Sequence, residues 1–223
     1  MAESHRTAHV ALAHHFENLE QQREASAIGM WVFLITEVMF FGGLFTGYTV
    51  YRAYDPVNAI VFAEASRHLD INLGAINTVV LICSSLTMAL AVYGSQIGNR
   101  RRTLWALTLT MLLGATFLVI KFFEYHHKFE QGLIPGSGFK YDGAHPDKAQ
   151  LFFSFYFAMT GLHALHMVIG LGILSVLVVM TLRDRFSPEY HSPVELSGLY
   201  WHFVDIVWIF LFPLLYLIGW HIG

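Results

Sequence analysis

Residues 152–182 read FFSFYFAMTGLHALHMVIGLGILSVLVVMTL, and this stretch decides the fold class. It contains no Asp, Glu, Lys or Arg, and the side chains in it that titrate near neutral pH are His163 and His166. A helix needs about 20 mostly apolar residues to cross a hydrocarbon core of roughly 30 Å, so the stretch is long enough to span a bilayer. Backbone groups in lipid must be hydrogen-bonded within the protein, which predicts a transmembrane α-helix.

Four other stretches of the chain are also long and apolar enough to span a bilayer, and they comprise residues 28–48, 73–93, 104–123 and 199–220. The sequence therefore predicts an all-α fold, a polytopic membrane bundle of five transmembrane helices. Residues 1–27 are expected to form a polar lead-in, and residues 28–223 the five-helix domain. The long connections after the first and third spans carry turn-forming residues and are expected to be irregular and extramembrane.

The composition agrees with a membrane protein and excludes several other classes. Hydrophobic residues make up 55% of the chain and charged residues 13%, which is about half the charged share of a soluble domain. The formal net charge of −3 argues against a nucleic-acid binder with a basic surface. A single cysteine, Cys83, excludes a disulfide framework, a Cys-ligated iron–sulfur cluster and a thiolate zinc site.

The N-terminal segment resembles neither a signal peptide nor a transit peptide, because residues 1–25 are rich in acidic residues and histidine. Its histidines at positions 5, 9, 14 and 15 could bind a metal loosely. A solvent-facing lead-in is the simpler interpretation.

The distribution of basic residues predicts the orientation of the bundle. The side that holds the N-terminus carries Arg6, Arg23, Arg100, Arg101, Arg102, Arg183 and Arg185. The opposite side carries Arg52, Arg67, Lys128, Lys140 and Lys148, spread over longer loops. Short loops dense in Lys and Arg face the cytoplasm, so the N-terminus is expected inside and the C-terminus outside.

Glu37 lies near the middle of the first span. A carboxylate is costly at that depth, so we expect this carboxyl to be neutral or hydrogen-bonded. Two roles stay open: a proton-exchanging carboxyl, and a structural hydrogen bond that holds helices or a neighbouring chain.

Five further polar residues in or near the spans resemble the ingredients of a carboxylate–histidine metal site, and they are Glu124, His163, His166, His202 and Asp205. Glu124 and His127 form one Glu-x-x-His motif, whereas a di-iron bundle uses two. Hydrogen bonding across helices is the commoner outcome for such histidines. We therefore expect buried polar or proton-exchanging groups here, no catalytic residue and no bound metal.

Lys121 precedes Glu124 by three residues, within ion-pair reach on a helix. An interfacial ion pair is the simpler interpretation, because a lysine near the end of a span can extend to the membrane surface. The alternative is binding of a phospholipid headgroup by Lys121 or by the Arg100, Arg101 and Arg102 turn.

Small residues predict where helices approach closely in lipid. Gly43 and Gly47 form a Gly-x-x-x-Gly motif in the first span, and Gly170 and Gly172 lie in the fourth. These residues indicate packing faces only.

Five segments in order along the chain resemble subunit III of the haem–copper respiratory oxidases. They are GMWVFLITEVMFF at 29–41, NTVVL at 77–81, FEY at 123–125, TGLHALHMVIG at 160–170 and YWHFVDIVW at 200–208. The resemblance extends from about residue 28 to residue 220. The family usually has seven spans, and this chain resembles its shorter form, which lacks the first two.

The resemblance implies an accessory subunit without a catalytic centre of its own. Haem and copper are expected in partner subunits I and II, and phospholipid is expected as a ligand of the family. The implied role is to support the stability and proton uptake of subunit I in aerobic electron transport. The expected location is a bacterial plasma membrane, in contact with lipids and other respiratory complexes but with no nucleic acid.

The identity of the electron donor is inferred from one position. Glu37 corresponds to the buried glutamate of the cytochrome c oxidase branch, whereas the quinol oxidase branch tends to carry Asp in that neighbourhood. This favours cytochrome c over quinol. A quinol oxidase subunit and a stand-alone His/carboxylate metalloenzyme are the alternatives.

Overall fold

The computed structural model describes residues 16–220, which form a helical membrane bundle. Its six α-helices are α1 (Leu19–Tyr54), α2 (Pro56–Ser66), α3 (Ile71–Gln96), α4 (Arg100–Glu130), α5 (Pro146–Leu182) and α6 (Ser192–Tyr216). A short 3-10 helix, Ile218–Trp220, follows α6. All except α2 are long and apolar enough to cross a membrane, which confirms the five predicted spans.

Short polar side chains define where several helices begin. The side chain of Asn18 accepts a hydrogen bond from the Gln21 amide at the start of α1, and Asp70 accepts two at the start of α3. Asn99 caps α4 in the same way through the Arg102 amide. These caps satisfy amide groups that the first helical turn leaves without partners.

The structure adds helix at two places where the sequence predicts a polar lead-in or an irregular connection. Helix α1 begins at Leu19, so the predicted boundary between a lead-in and a helical domain at residues 27 and 28 falls inside a continuous helix. The connection after the first span, expected to be irregular, contains α2, which begins at Pro56 after an Asp55 cap and buries Phe62. The helix packs on α1 and α5, and burial of its apolar side chains there stabilises it.

Helix α6 lies at the centre of the bundle and α1 at its edge. In the most apolar 18-residue stretch of α6, 50% of the residues are buried inside the bundle, whereas in that of α1 only 11% are buried. Helix α6 contacts α1, α3 and α5, and its Trp201, Trp208 and Tyr216 are fully buried. The core is therefore built around α6, and most of α1 is left for lipid or another protein.

Side-chain contacts between loops show which connections share an end of the bundle. At one end, the Arg100 guanidinium donates to the Asp184 carboxylate and to the Leu182 carbonyl, both at 2.7 Å. At the other end, Lys148 pairs with Asp55. That contact, with the Val57 amide, lowers the pKa of the Asp55 carboxyl. The arrangement agrees with the predicted grouping of the Arg100–Arg102 turn with the loop at residues 183–185.

Candidate functional site

The first polar site joins Glu37 of α1 to His166 of α5 across 3.2 Å between Oε2 and Nε2. Both side chains are largely enclosed, at 20% and 13% exposed respectively. The ring of Phe41 packs edge-on against the imidazole, with centroids 5.3 Å apart. Glu37 thus has a partner on another span, which the sequence of the first span does not reveal.

The hydrogen bonds of His166 define the protonation of this pair. Its Nδ1 lies 2.8 Å from the Leu162 carbonyl, and a carbonyl only accepts, so Nδ1 carries a proton. The contact with Glu37 then needs one more proton, either on the carboxyl or on Nε2. The pair is consequently neutral overall, as a neutral acid and imidazole or as a carboxylate and imidazolium.

A groove of about 380 Å³ opens in front of the Glu37–His166 pair. Residues of α1, α5 and α6 line it, including Phe33, Ile173 and Tyr200. The Tyr200 hydroxyl donates to the His166 carbonyl at 3.0 Å and so ties α6 to the same site. The groove leaves the pair accessible from one side of the bundle.

The second polar site surrounds Glu124, near the C-terminal end of α4. One carboxylate oxygen accepts from the Lys121 ammonium at 3.0 Å. The other accepts from the Tyr156 hydroxyl at 2.8 Å and from the Tyr216 hydroxyl at 2.6 Å. Lys121 and Glu124 are each 3% exposed, so this is a buried ion pair that links α4, α5 and α6.

Aromatic rings complete the surroundings of the Lys121 ammonium. Its Nζ lies 5.0 Å from the centre of the Trp208 ring and 5.2 to 5.5 Å from those of Tyr125, Tyr156 and Tyr216. Ring faces attract a cation most strongly where water is absent. The ammonium is therefore held by a carboxylate, two hydroxyls and aromatic faces, all from this chain.

This geometry corrects the expectation for Lys121. The residue was expected at the membrane surface, with a lipid headgroup as an alternative ligand, but its ammonium is buried and fully partnered. Arg100, Arg101 and Arg102 lie together in the first turn of α4, with Arg100 bonded to Asp184. Headgroup binding by this turn stays a prediction.

His163 is buried between two aromatic residues. Its ring centre lies 5.3 Å from those of Phe117 and Trp208. Neither ring nitrogen has a hydrogen-bond partner among the described residues. His163 therefore packs as a core aromatic, one helical turn from the His166 that pairs with Glu37.

The third polar site is formed by His202 and Asp205 of α6 with Ser85 of α3. The Ser85 hydroxyl lies 2.6 Å from Nδ1 of His202. Asp205 is 3% exposed, and its carboxyl is within hydrogen-bond reach of two serine hydroxyls. Ser84 and Ser85 lie beside that carboxyl.

The candidate metal ligands are separated in the structure. Glu124 pairs with Lys121, His166 with Glu37 and His202 with Ser85, so these residues belong to three separate sites. Within residues 16–220, no three His, Cys, Asp or Glu side chains converge in a way that could hold a metal ion. The N-terminal histidines at 5, 9, 14 and 15 lie outside the described residues.

Sequence reasoning missed four partners in these sites: Ser85, Tyr156, Trp208 and Tyr216. A signal exists for the tyrosines, because a phenol hydroxyl within a span needs a hydrogen-bond partner. No comparable signal marks Ser85, since a serine in a helix can bond its own backbone.

Comparison with known proteins shows clear similarity over almost the whole chain. A family model described as cytochrome c oxidase subunit III matches residues 9–220. Cytochrome c oxidase subunit 3 of Corynebacterium diphtheriae is 34% identical over 192 residues, which are 86% of this chain and 87% of that protein. The subunit 3 of Papio hamadryas is 32% identical over 194 residues, 84% of this chain and 67% of that one. Cytochrome bo(3) ubiquinol oxidase subunit 3 of Pseudomonas putida is 27% identical over 198 residues, 88% and 87% of the two chains.

Proposed function

The chain belongs to the cytochrome c oxidase subunit III family, and we propose that within a haem–copper oxidase it stabilises the catalytic subunit I and supports its proton uptake. The family places the chain in a multi-subunit complex of the respiratory chain. Subunits I and II are its proposed neighbours and the proposed holders of haem and copper. Phospholipid is its proposed ligand.

The observation that carries this proposal is the pairing of ionisable side chains across helices. Glu124 is bonded to groups of α4, α5 and α6, and Glu37 is bonded to α5. Pairs of this kind join the spans to one another, so that each span stabilises the others. The paired side chains are then not available as metal ligands. This supports a structural role for the chain's own carboxyls, with redox chemistry in the partner subunits.

Cytochrome c is the electron donor that we propose for the complex. Glu37 lies in the Thr36-Glu37-Val38 sequence of the cytochrome c branch, and relatives above 30% identity, among them those of Corynebacterium diphtheriae and Papio hamadryas, are named cytochrome c oxidase subunits. The similarity to the ubiquinol oxidase subunit of Pseudomonas putida favours quinol as the second candidate.

The proposed location is a bacterial plasma membrane, with the N-terminus in the cytoplasm and the C-terminus outside. The five spans support opposite sides for the two ends of the chain. The cluster of Arg100, Arg101 and Arg102, beside Arg183 and Arg185, supports a cytoplasmic assignment for that end.

Purification of the tagged chain from its native membrane in mild detergent tests the proposal. A larger haem-containing chain should co-purify, and the preparation should consume oxygen with reduced cytochrome c in preference to a quinol. A matched strain without this chain should keep the haem spectrum but lose activity faster during turnover. Co-purification without haem, or haem bound to this chain alone, would contradict the proposal.

A further inference from the structure

A groove runs between α3 and α6, and its lining residues differ from those around the Glu37–His166 pair. Its volume is about 400 Å³. The rim is apolar and exposed: Ile82, Leu86, Ile206 and Ile209 are between 46% and 63% exposed. The Ser85, His202 and Asp205 side chains also line the groove, so an otherwise hydrophobic surface has a polar centre.

The described chain satisfies the polar centre only in part. The buried Asp205 carboxyl is within reach of the Ser84 and Ser85 hydroxyls, but Ser84 already donates to the Leu81 carbonyl and Ser85 contacts His202. His202 uses Nδ1 for Ser85, and residues 16–220 provide no hydrogen bond for its Nε2. Buried polar groups in native proteins nearly always have partners, and each exception calls for an explanation. In hydrocarbon the cost of an absent partner is at its largest.

The depth of these groups limits what the partner can be. Asp205 lies 13 residues after Ser192 and 11 residues before Tyr216 in α6. At 1.5 Å per residue it is about 16 to 20 Å from either end of the helix, near the middle of a roughly 30 Å hydrocarbon core. A phospholipid headgroup lies at the membrane surface, and acyl chains contain neither donors nor acceptors. Ordinary lipid therefore leaves the polar centre unsatisfied.

A transmembrane helix of another protein has the required shape and chemistry. Its apolar side chains would cover the aliphatic rim, and one polar side chain would reach the centre. The contact between Ser85 and His202 allows either tautomer, so Nε2 is either a donor or an acceptor. A neutral amide or hydroxyl serves both cases, and such side chains bond across helices in membranes.

We propose that the α3–α6 groove docks a transmembrane helix of a neighbouring oxidase subunit, which places an amide or hydroxyl side chain against His202. The Ser85 hydroxyl contacts Nδ1 of the imidazole, on the side opposite the partner helix, and Asp205 lies beside that serine. The proposal rests on the function proposed above, because it takes its partner from the same complex.

Photo-crosslinking in the assembled oxidase tests the contact directly. A benzophenone amino acid in place of Leu86, on the groove rim, should form an adduct with another oxidase subunit, identified by mass spectrometry. The adduct should fall at least fivefold when His202→Leu is added. It should persist with His202→Gln, whose amide restores a polar contact. Adducts with lipid only, with a second copy of this chain, or with a yield unchanged by His202→Leu would overturn the proposal.

Retention of the chain during detergent washing gives an independent measurement. His202→Leu should lower the ratio of this chain to the haem-containing chain at least fivefold, while His202→Gln stays near the starting ratio. His127→Leu is the matched control, because that histidine is exposed on α4 outside the groove. Equal losses with His127→Leu would overturn the groove contact.

The two proposals fail in different ways. If no haem-containing chain co-purifies with the unmodified chain, the proposed function is wrong. If it co-purifies but residue 86 reacts with lipid alone, only the groove proposal is wrong.

Discussion

Glu37 and His166 show how two ionisable side chains are accommodated within the membrane. Nδ1–H of the imidazole donates to the Leu162 carbonyl. A second proton is shared between Nε2 and the Glu37 carboxyl. The pair has no net charge in either arrangement, so the cost of placing it in hydrocarbon is moderate. A structural role for Glu37 stays our prediction, and proton exchange stays the alternative.

Substitutions at Glu37 separate these two roles. Glu37→Gln should be tolerated, because its amide donates to Nε2 of His166. Glu37→Leu should lower the stability of the chain by about 1 to 3 kcal/mol, since it leaves that nitrogen unsatisfied. The measurements are subunit III retained per complex, oxygen consumption and proton release. Thr36→Val is the control, because the Thr36 hydroxyl bonds only the Phe33 carbonyl of its own helix. Normal assembly of Glu37→Gln with a large loss of proton uptake would show that Glu37 exchanges protons.

The buried Lys121–Glu124 pair predicts strong coupling between two single substitutions. Lys121→Met or Glu124→Gln alone should each lower the free energy of unfolding by about 3 kcal/mol or more, because each leaves one charge buried without its partner. The double variant should be more stable than the sum of the two losses predicts, since both charges are gone and the amide oxygen still accepts from Tyr216. Thermal unfolding in detergent measures the three variants. Additive losses would mean that the pair is not coupled.

At the scale of helices, Trp201 explains which glycines matter. The indole of Trp201 on α6 fills the space between α4 and α5. A β-carbon at Gly114 would lie 2.7 Å from the Trp201 ring, and one at Gly170 would lie 2.9 Å from it. The Gly43 of the predicted Gly-x-x-x-Gly motif has nothing within 4 Å, and Gly47 has only an ordinary contact with Phe155. Close helix contacts are therefore made around Trp201, and also at Gly74 and Gly198 between α3 and α6, whereas the motif in α1 makes none.

Alanine substitutions test this packing. Gly170→Ala should lower the free energy of unfolding by about 1 to 3 kcal/mol, because the buried indole has no room to move aside. Gly172→Ala on the same helix should be neutral or stabilising by up to about 1 kcal/mol, because its β-carbon meets nothing within 4 Å and alanine favours a helix. Unfolding of the purified chain in detergent compares the two. Equal losses would indicate a general effect of substituting α5 rather than a contact with Trp201.

For the whole molecule, the ends of the bundle differ in charge and in contacts. The arginine-rich end is joined by Arg100 and Asp184, and the opposite end by Asp55 and Lys148. These contacts group the loops into two sides independently of any count of basic residues. They do not depend on which side is cytoplasmic, so the orientation needs its own experiment.

Single cysteines at the two ends report the orientation. In a Cys83→Ser background, Ser137→Cys should react with a membrane-impermeant thiol reagent on intact cells, because its loop is expected outside. Arg101→Cys should react only after the membrane is opened. Both positions are exposed in the structure, and Arg101 is preferred to Asn99 because Asn99 caps α4. Reaction at residue 101 in intact cells would reverse the proposed topology.

The sequence alone was sufficient for the class of the protein, the five spans and the family. The length of an apolar stretch is a local property, so residues 152–182 predict a transmembrane span from their own composition, without information on the other helices. The helix ends are less well predicted: α1 begins at Leu19 rather than at residue 28, and α2 was missed. Hydropathy marks the part of a helix that lies in lipid and contains little information on where the helix continues into water.

Only the tertiary structure decided which polar groups meet. In lipid the outer face of a span is as apolar as its inner face, so the pattern of hydrophobic residues does not define how each helix is rotated. That rotation turns His166 toward Glu37 and His163, three residues away, toward Phe117 and Trp208. It also buries Lys121 among tyrosines of two other helices, where its position near the end of a span had predicted the membrane surface. Contacts between residues so distant along the chain depend on the packing of the whole bundle, and no single span contains that information.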